Sequence, residues 1–491
     1  VADPAPDPLR ALIAAAFARR DAGDYVQAIR LFRKAEIKLP RSPEIKHNLA
    51  MAHYAARDPA AARIAAGQAV ALSPALWQSN ALLARIARER GEITAAGDAW
   101  RAVLRHSPGN GTALLGLADL AMNEFGDPEA AIGLVGPLHR DAHFGVDAEL
   151  TSLMAGLYTG GQSAEVLSDR LKAFAAANLT SPRLPPRAAR AARRRIGLIS
   201  PLLSVSPVYY LTWSTWAAVA KHHDIVVFDR GVRQDWATER LQHIAHEWHP
   251  VTTLEAPALT ARIAEAEIDV LFDLGGWSDV VGLAALSAKP AARMYKWVGG
   301  QSATTGLGVF DGFIGDEWQS GADLAGLYAE PIVNILGGYI DYTPPDALLA
   351  LRDVPRTGVA LVGNPAKIGP GTIAAWPQGV ERVSLIDRRY VHERPLTRVT
   401  ELLARAGITV TRTIVPEGQV AYLQALAAHE AIVNTQPYAA GLTAAEAHAL
   451  GIRVLASGAG RLFSARHHLS HARTGGRNAS LPAQILALIA R

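Results

Sequence analysis

The chain of 491 residues contains no cysteine. That absence removes disulfides, thiolate nucleophiles and cysteine-ligated metal together. Charge is scarce too. Lys, Arg, Asp and Glu make up 19% of the residues, and the formal net charge is only +4. So small a surplus gives no push toward nucleic acid. No apolar run approaches the ~18 residues that a membrane span needs. The opening stretch, VADPAPDPLR, lacks a basic segment followed by an apolar one, so no secretion signal is expected. These absences leave a soluble, cytoplasmic protein as the expectation. What is present is a globular composition, 49% hydrophobic, in a chain too long for one core and sized for about three domains.

The first third is periodic. Pro40, Pro74 and Pro108 lie 34 residues apart, as do Ala28, Ala62 and Ala96. Four residues beyond each alanine stand Phe32, Ala66 and Trp100. Gly23 and Gly91 share a register, with Arg57 between them. Small residues let two helices approach, the bulky one fills the groove, and proline stops the second helix. This period resembles the tetratricopeptide repeat, with copies at 9–42, 43–76 and 77–110 and a looser fourth from 111 to about 145. Such arrays grip extended segments of other proteins on a concave face; a structural spacer or dimer arm is the other reading. Residues 146–180 read as a closing helix pair, which makes 1–180 the first domain. Next comes SPRLPPRAARAARRR, in which Arg187, Arg190 and Arg194 would share one helix face. It has no interleaved aromatics to stack bases. A solvated linker over 181–195 and no nucleic-acid partner are expected.

From Arg195 onward, short apolar runs alternate with amphipathic stretches. The runs IGLIS (196–200), DIVVFD (224–229), IDVLFDLGG (268–276), RMYKWVG (293–299) and FDGFIGD (310–316) read as buried parallel strands. The pattern then restarts with GVALVGN (358–364), SLIDRR (384–389), ITVTRTIV (408–415), AIVNTQ (431–436) and RVLAS (453–457). Two doubly wound halves, 196–350 and 351–491, would flank a cleft, with ligand beyond the carboxyl ends of the strands.

Several chemistries are missing from that cleft. There is no GxxxxGK[ST] phosphate loop, no strand followed by GxGxxG, no HExxH and no Asp-x-Asp. The pairs His222–His223 and His467–His468 lack companions at metal-ligand spacing. A helix amino end remains, in QPYAAGLTAAEAHALG (436–451). Its free N–H groups and dipole suit phosphate oxygens, and Gly441 lets the backbone come close. Thr443 can cap the helix or bond an oxygen directly. Glu446, one turn in, can accept from ribose hydroxyls. An ordinary capped helix with an acid favoured by the dipole is the competing reading.

Three segments carry a family resemblance: FDLGGWSDVVGLAALSAKPAARMYKWVGGQSATTGLGVFDGFIGD, GNPAKIGPGTIAAW and NTQPYAAGLTAAEAHALGIRVLASGAGRLFSAR. In order and spacing they resemble the O-linked N-acetylglucosamine transferase and SPINDLY group of glycosyltransferases. The resemblance implies an α-helical tetratricopeptide-repeat solenoid followed by an α/β GT-B fold of two Rossmann-like domains. It implies a protein O-glycosyltransferase that moves a sugar from a nucleotide sugar to Ser or Thr, with the repeats holding the protein acceptor. By position, Lys367 matches the lysine that contacts the diphosphate and serves catalysis. Asn364 matches a nearby polar residue, Thr443 a donor-binding threonine, and Glu446 the ribose-binding aspartate. Gly441 and Leu442 replace the family's histidine and first threonine in front of that helix. Ser206 stands where a histidine is usual after the first catalytic strand, and Tyr210 where a second can stand. A bacterial branch of this architecture modifies flagellin and resembles enzymes using cytidine monophosphate-activated nonulosonic acids. Both that donor and uridine diphosphate N-acetylglucosamine therefore stand as expectations, with flagellin a candidate acceptor. No metal and no further cofactor is expected, and Tyr209, Tyr210 and Asp279 are the candidate bases. A repeat-based scaffold with a degenerate, nucleotide-sensing cleft is the alternative. A glycan or small-molecule glycosyltransferase with an unrelated arm is a third reading.

Overall fold

A computed structural model describes residues 7–190, 193–300, 303–456, 458 and 460–491. Outside these fall the first six residues, read above for a secretion signal and as the start of the repeat domain. Residues 191 and 192 of the expected linker also fall outside, as do Gln301 and Ser302 of the first family-like segment. So do Ser457, the last residue of the expected strand 453–457, and Ala459. Contacts divide the chain into two compact units, one reaching 124 and taking up 129–151, the other formed by 125–128 and 152–491.

The first unit is a run of helical hairpins: α1 (Pro8–Asp21) with α2 (Tyr25–Lys38), α3 (Pro43–Ala55) with α4 (Pro59–Leu72), and α5 (Trp77–Glu89) with α6 (Ile93–His106). A fourth pair, α7 (Gly111–Asn123) and the shorter α8 (Pro128–Val135), corresponds to the looser copy. Helix starts follow local rules, as Asp24, Ser42, Asp58 and Asn110 each accept an N–H of the first turn. Phe32, Trp100 and all three periodic alanines are buried. Trp100 covers Gly116, where a Cβ would collide with the indole. The Gly23, Arg57 and Gly91 register is the hairpin bend. All three are left-handed, with φ of 77°, 63° and 73°, a conformation that costs a side-chain-bearing residue roughly 1–2 kcal/mol.

The closing helices α9 (Gly145–Thr159) and α10 (Ala164–Asn178) form where expected, but residues from 152 pack with the second unit rather than with the repeats. Ser168 donates to the Leu327 carbonyl at 2.6 Å, and Phe174 meets Trp277 edge-on at 5.9 Å. A Cβ at Gly306 would press on Ala175 and on the Leu171 carbonyl, at 2.7 and 2.8 Å. An amphipathic period shows that a helix has an apolar face, not which neighbour that face meets.

The second unit contains two parallel sheets. The first has β1 (Arg195–Ser200), β2 (Asp224–Asp229), β3 (Glu247–Pro250), β4 (Val270–Asp273), β5 (Arg293–Trp297), β6 (Gly312–Gly315) and β7 (Ile332–Asn334), in the order β3-β2-β1-β4-β5-β6-β7. Its main helices are α11 (Pro207–Val219), α12 (Trp236–Ile244), α13 (Ala256–Glu265) and α14 (Val280–Leu286). The short α15 (Asp346–Leu349) leads to the second sheet: β8 (Val359–Val362), β9 (Arg382–Ile386), β10 (Thr409–Ile414), β11 (Ala431–Val433) and β12 (Arg453–Leu455), ordered β10-β9-β8-β11-β12. Around it lie α16 (Pro370–Ala374), α17 (Glu393–Arg405), α18 (Gly418–Ala427) and α19 (Leu442–Leu450). All ten expected strands form, but β3 and β7 escape the sequence reading. EWHP and IVN are edge or near-edge segments without a clear apolar run.

The chain then crosses back. In α20 (His467–Thr474), the Ser470 hydroxyl donates to the Asp316 carboxylate at 2.5 Å. The last helix, α21 (Leu481–Ala490), packs on α11 of the first half. Arg194 and Arg293 donate to its terminal carbonyls, Arg293 reaching Ile489 at 2.6 Å and Arg194 reaching Ala490 at 2.9 Å. These guanidinium groups satisfy orphan C-terminal carbonyls and meet the negative end of the dipole. The half expected at 351–491 thus gives up its last two helices to the other half.

The basic linker is neither helical nor simply solvated. Residues 181–190 form no helix, as Pro185 and Pro186 disfavour one. Arg187 and Arg190 pair with the fully buried Asp269, at 3.4 and 3.1 Å. The basic run is an anchor. Replacing Arg57 by glycine should relieve the strained hairpin bend and stabilise the first unit by about 1 kcal/mol. Gly91→Ala should destabilise it by a similar amount; urea denaturation of the two variants checks both signs.

Candidate active site

Each sheet reverses its strand order once, between β1 and β4 in the first and between β8 and β11 in the second. Crevices at such switch points, beyond the carboxyl ends of the strands, are where open α/β sheets bind ligands. The two crevices face one cavity of about 440 Å³. From the first half come Leu202 and Val208 after β1, Ser278 after β4, and Val298–Gly300 after β5. From the second half come Lys367 after β8, and Tyr438 with Gly441–Thr443 after β11.

The helix tip is built as a donor of N–H groups. Gly441 is the N-cap of α19 and supplies no side-chain cap. The expectation that Thr443 caps the helix does not hold, since it is the second residue inside. The Leu442 and Thr443 N–H groups have no partner among the described residues. A Cβ at Gly441 would meet no protein atom within 4 Å, so packing does not demand this glycine.

Asn364 accepts the Ala366 N–H at 3.0 Å and caps the single turn that carries Lys367. It shapes the loop and does not line the cavity. The Lys367 ammonium lies 4.5 Å from the centre of the Tyr438 ring and 3.3 Å from the Ala439 carbonyl. Burial of the ammonium pulls its pKa down to about 8, against the pull of Asp387. Tyr438 in turn stacks on Tyr158 at 4.5 Å.

Glu446 also lines the cavity, with 2% of its surface exposed. It sits one full turn inside the helix and accepts from the Tyr422 hydroxyl at 2.7 Å. Burial raises its pKa to about 8, against this hydrogen bond. The carboxyl is therefore mostly protonated at neutral pH.

The candidate bases separate. Asp279 forms a buried ion pair with Arg230 at 2.9 Å and caps α14. The Tyr209 hydroxyl accepts from Arg240 at 3.1 Å, away from the cavity. Tyr210 accepts from Gln419 at 2.7 Å in a neighbouring recess of about 430 Å³, which also takes in Ser206 and shares Tyr422, Leu442 and Glu446 with the main cavity. Sequence reasoning passed over Tyr339 and Tyr422 and weighed His467 only as a metal ligand; all three line the cavity. His467 Nδ1 is 3.3 Å from the Tyr339 hydroxyl. Burial, then Lys367 and two neighbouring imidazoles, lower the His467 pKa to about 3, so its ring is neutral. No helix among the described residues is long and apolar enough to cross a membrane. None of their His, Asp and Glu side chains form a group of three able to hold a metal ion.

No protein-family model matches the chain, and no curated protein does. Among solved structures, a mutant O-GlcNAc transferase of Thermobaculum terrenum is similar over 91% of this chain and 89% of its own, with a TM-score of 0.77 and 21% identity. The MamA protein is similar over 36% of this chain and 98% of its own, at a TM-score of 0.31 and 17% identity. A tetratricopeptide repeat protein of Parabacteroides merdae is similar over 34% of this chain and 66% of its own, at 0.31 and 17%. The architecture is a tetratricopeptide-repeat solenoid followed by a GT-B fold of two Rossmann-like domains.

The Glu446 proton has a measurable consequence. The folded pKa of about 8 exceeds the ordinary 4.5, so the native state holds the extra proton between those values. Its contribution to stability is complete below 4.5 and lost as pH rises through 8. Lys367, shifted downward, works in the opposite sense but is common to wild type and a Glu446→Gln variant. The wild type should therefore lose stability relative to that variant between pH 5 and pH 9, by at least about 2 °C in Tm. Parallel melting curves would refute the buried carboxyl.

Proposed function

We propose that the protein transfers a sugar from a nucleotide-sugar donor to a serine or threonine hydroxyl of a protein held by the repeats. The observation that carries this reading is the meeting of two switch points at one cavity, with Lys367, a bare helix tip and Glu446 on one wall. The fold likeness to an O-GlcNAc transferase supports the reaction class. The Leu442 and Thr443 N–H groups take phosphate oxygens. Ribose hydroxyls take the place of Tyr422 at Glu446. As the glycosidic bond breaks, negative charge grows on the leaving phosphate, and Lys367 and the helix tip stabilise it. In this reading those groups supply the charge that a divalent ion would, and turnover needs no metal. Of the three candidate bases, Tyr210 alone borders the donor space. Donors carrying a cytidine monophosphate-activated nonulosonic acid or uridine diphosphate N-acetylglucosamine both fit this scheme, and flagellin is the acceptor to try first.

One observation favours a nucleotide-sensing scaffold instead. The first half offers the cavity mainly apolar side chains, Leu202, Pro207, Val208 and Leu211. Intact mass of flagellin co-expressed with and without the protein separates the two readings. A discrete sugar increment supports transfer, and an unchanged mass with every candidate acceptor counts against it.

Glu446→Ala should weaken nucleotide binding about 2- to 10-fold at neutral pH, the loss of a hydrogen bond to a neutral carboxyl. Lys367→Ala should lower turnover at least about 100-fold and change nucleotide affinity much less. Unaltered binding by the first variant, or unaltered rate in the second, would remove that residue from the scheme. Chelation by EDTA should leave the rate unchanged; a loss restored by magnesium or manganese would reveal a metal requirement.

A further inference from the structure

Opposite Lys367, the first half closes the cavity with three consecutive left-handed residues. Val298, Gly299 and Gly300 have φ of 45°, 60° and 49°, and all three line the cavity. Behind them lies Lys296, a charged residue in the apolar strand β5 with 1% of its surface exposed. Its ammonium donates to the carbonyls of Val298 and Gly299. A trans peptide points its N–H opposite its C=O. The N–H groups of Gly299 and Gly300 therefore point away from the buried ammonium, on the cavity side. Neither has a partner among the described residues. A Cβ at either glycine would collide with a backbone carbonyl oxygen, of Leu274 or Gly275, so the run requires glycine at both positions.

We propose that the Gly299 and Gly300 N–H groups form an anion hole for a carboxylate on the transferred sugar, with Lys296 holding the loop in shape. This rests on the cavity being the nucleotide-sugar site. Adjacent backbone N–H groups in a concave turn suit an anionic oxygen. The donor's phosphate already has the helix tip and Lys367 on the other wall. Apart from Ser278 and Tyr339, the first-half side chains lining the cavity are apolar, and none is an acid. Glu446, the acid lining the cavity, is mostly protonated at neutral pH. No fixed negative charge on these walls opposes a second anionic group. Buried Asp273, whose carboxylate accepts from the Gly275 and Gly276 N–H groups, balances Lys296. The hole thus acts through its two N–H dipoles, and Lys296 is a positioning residue.

The test uses the full chain and calorimetric titration with cytidine monophosphate, cytidine monophosphate N-acetylneuraminic acid and the carboxyl methyl ester of that conjugate. The free acid should bind about 10- to 150-fold tighter than the ester. Lys296→Met should bring acid and ester within a few-fold of each other while cytidine monophosphate binds as before. Equal binding of acid and ester by the wild type overturns the inference. So does binding of uridine diphosphate N-acetylglucosamine with neither cytidine conjugate bound, an outcome that leaves the proposed transfer standing. Failure of every nucleotide overturns both. Should Lys296→Met not fold, the wild-type comparison decides alone.

Discussion

The cleft depends on the chain returning to where its first sheet began. The two Rossmann-like halves are joined in sequence near α15, but the return of α20 and α21 makes a second join. The terminal carbonyls of α21 are held by Arg194 and Arg293, one before the first strand and one at the start of β5. A single apolar cluster follows from this, running from Trp216 and Phe272 through Ile432 to Ile485 and Ile489. Two halves sharing a core have a restricted set of separations, because packed interiors do not deform continuously. The cavity between the switch points inherits that restriction.

Within the cavity, several polar groups are satisfied by a neighbour that a ligand could replace. Tyr422 serves Glu446, and the Ala439 carbonyl and Tyr438 ring serve Lys367. The bare N–H groups at Leu442 and Thr443, and those of Gly299 and Gly300, are the exceptions among the described residues. This division has a physical logic. A buried lysine or carboxyl left alone is costly, whereas N–H groups at a helix tip can wait facing an open cavity. The sequence stretch that presents the tip also contains Tyr438, so the bare N–H groups and the cation's resting place come from one short segment.

Much of the fold was legible because its cues are local. The 34-residue register marked the hairpin bends, down to Arg57 occupying a position where Gly23 and Gly91 sit. Apolar runs marked ten strands, and small residues before Thr443 marked the helix tip. What could not be read depends on distant partners. Arg187 and Arg190 looked like a solvated basic face until Asp269 supplied their counter-charge. Asp279 looked like a free acid because Arg230, its partner, is 49 residues away. Glu446 was placed correctly on its helix, but its protonated state follows from burial among side chains of α18 and α19. Lys296 did give a local signal: a charge inside RMYKWVG, a run otherwise fit for a buried strand.

The three arginines at the entry to the first sheet diverge to three different elements. Arg193 reaches Asp224 at the start of β2, Arg194 the end of α21, and Arg195 Glu247 on β3. Neighbouring residues in an extended segment point to different sides, so each partner is tied to one position in the count. Most interdomain linkers tolerate added or lost residues; this one acts as a ruler. Adding or removing one residue next to Arg193 would turn the guanidinium groups away from the partners they now hold. A splice between this GT-B fold and another arm therefore belongs upstream of the arginines, because a join within them would set the wrong length.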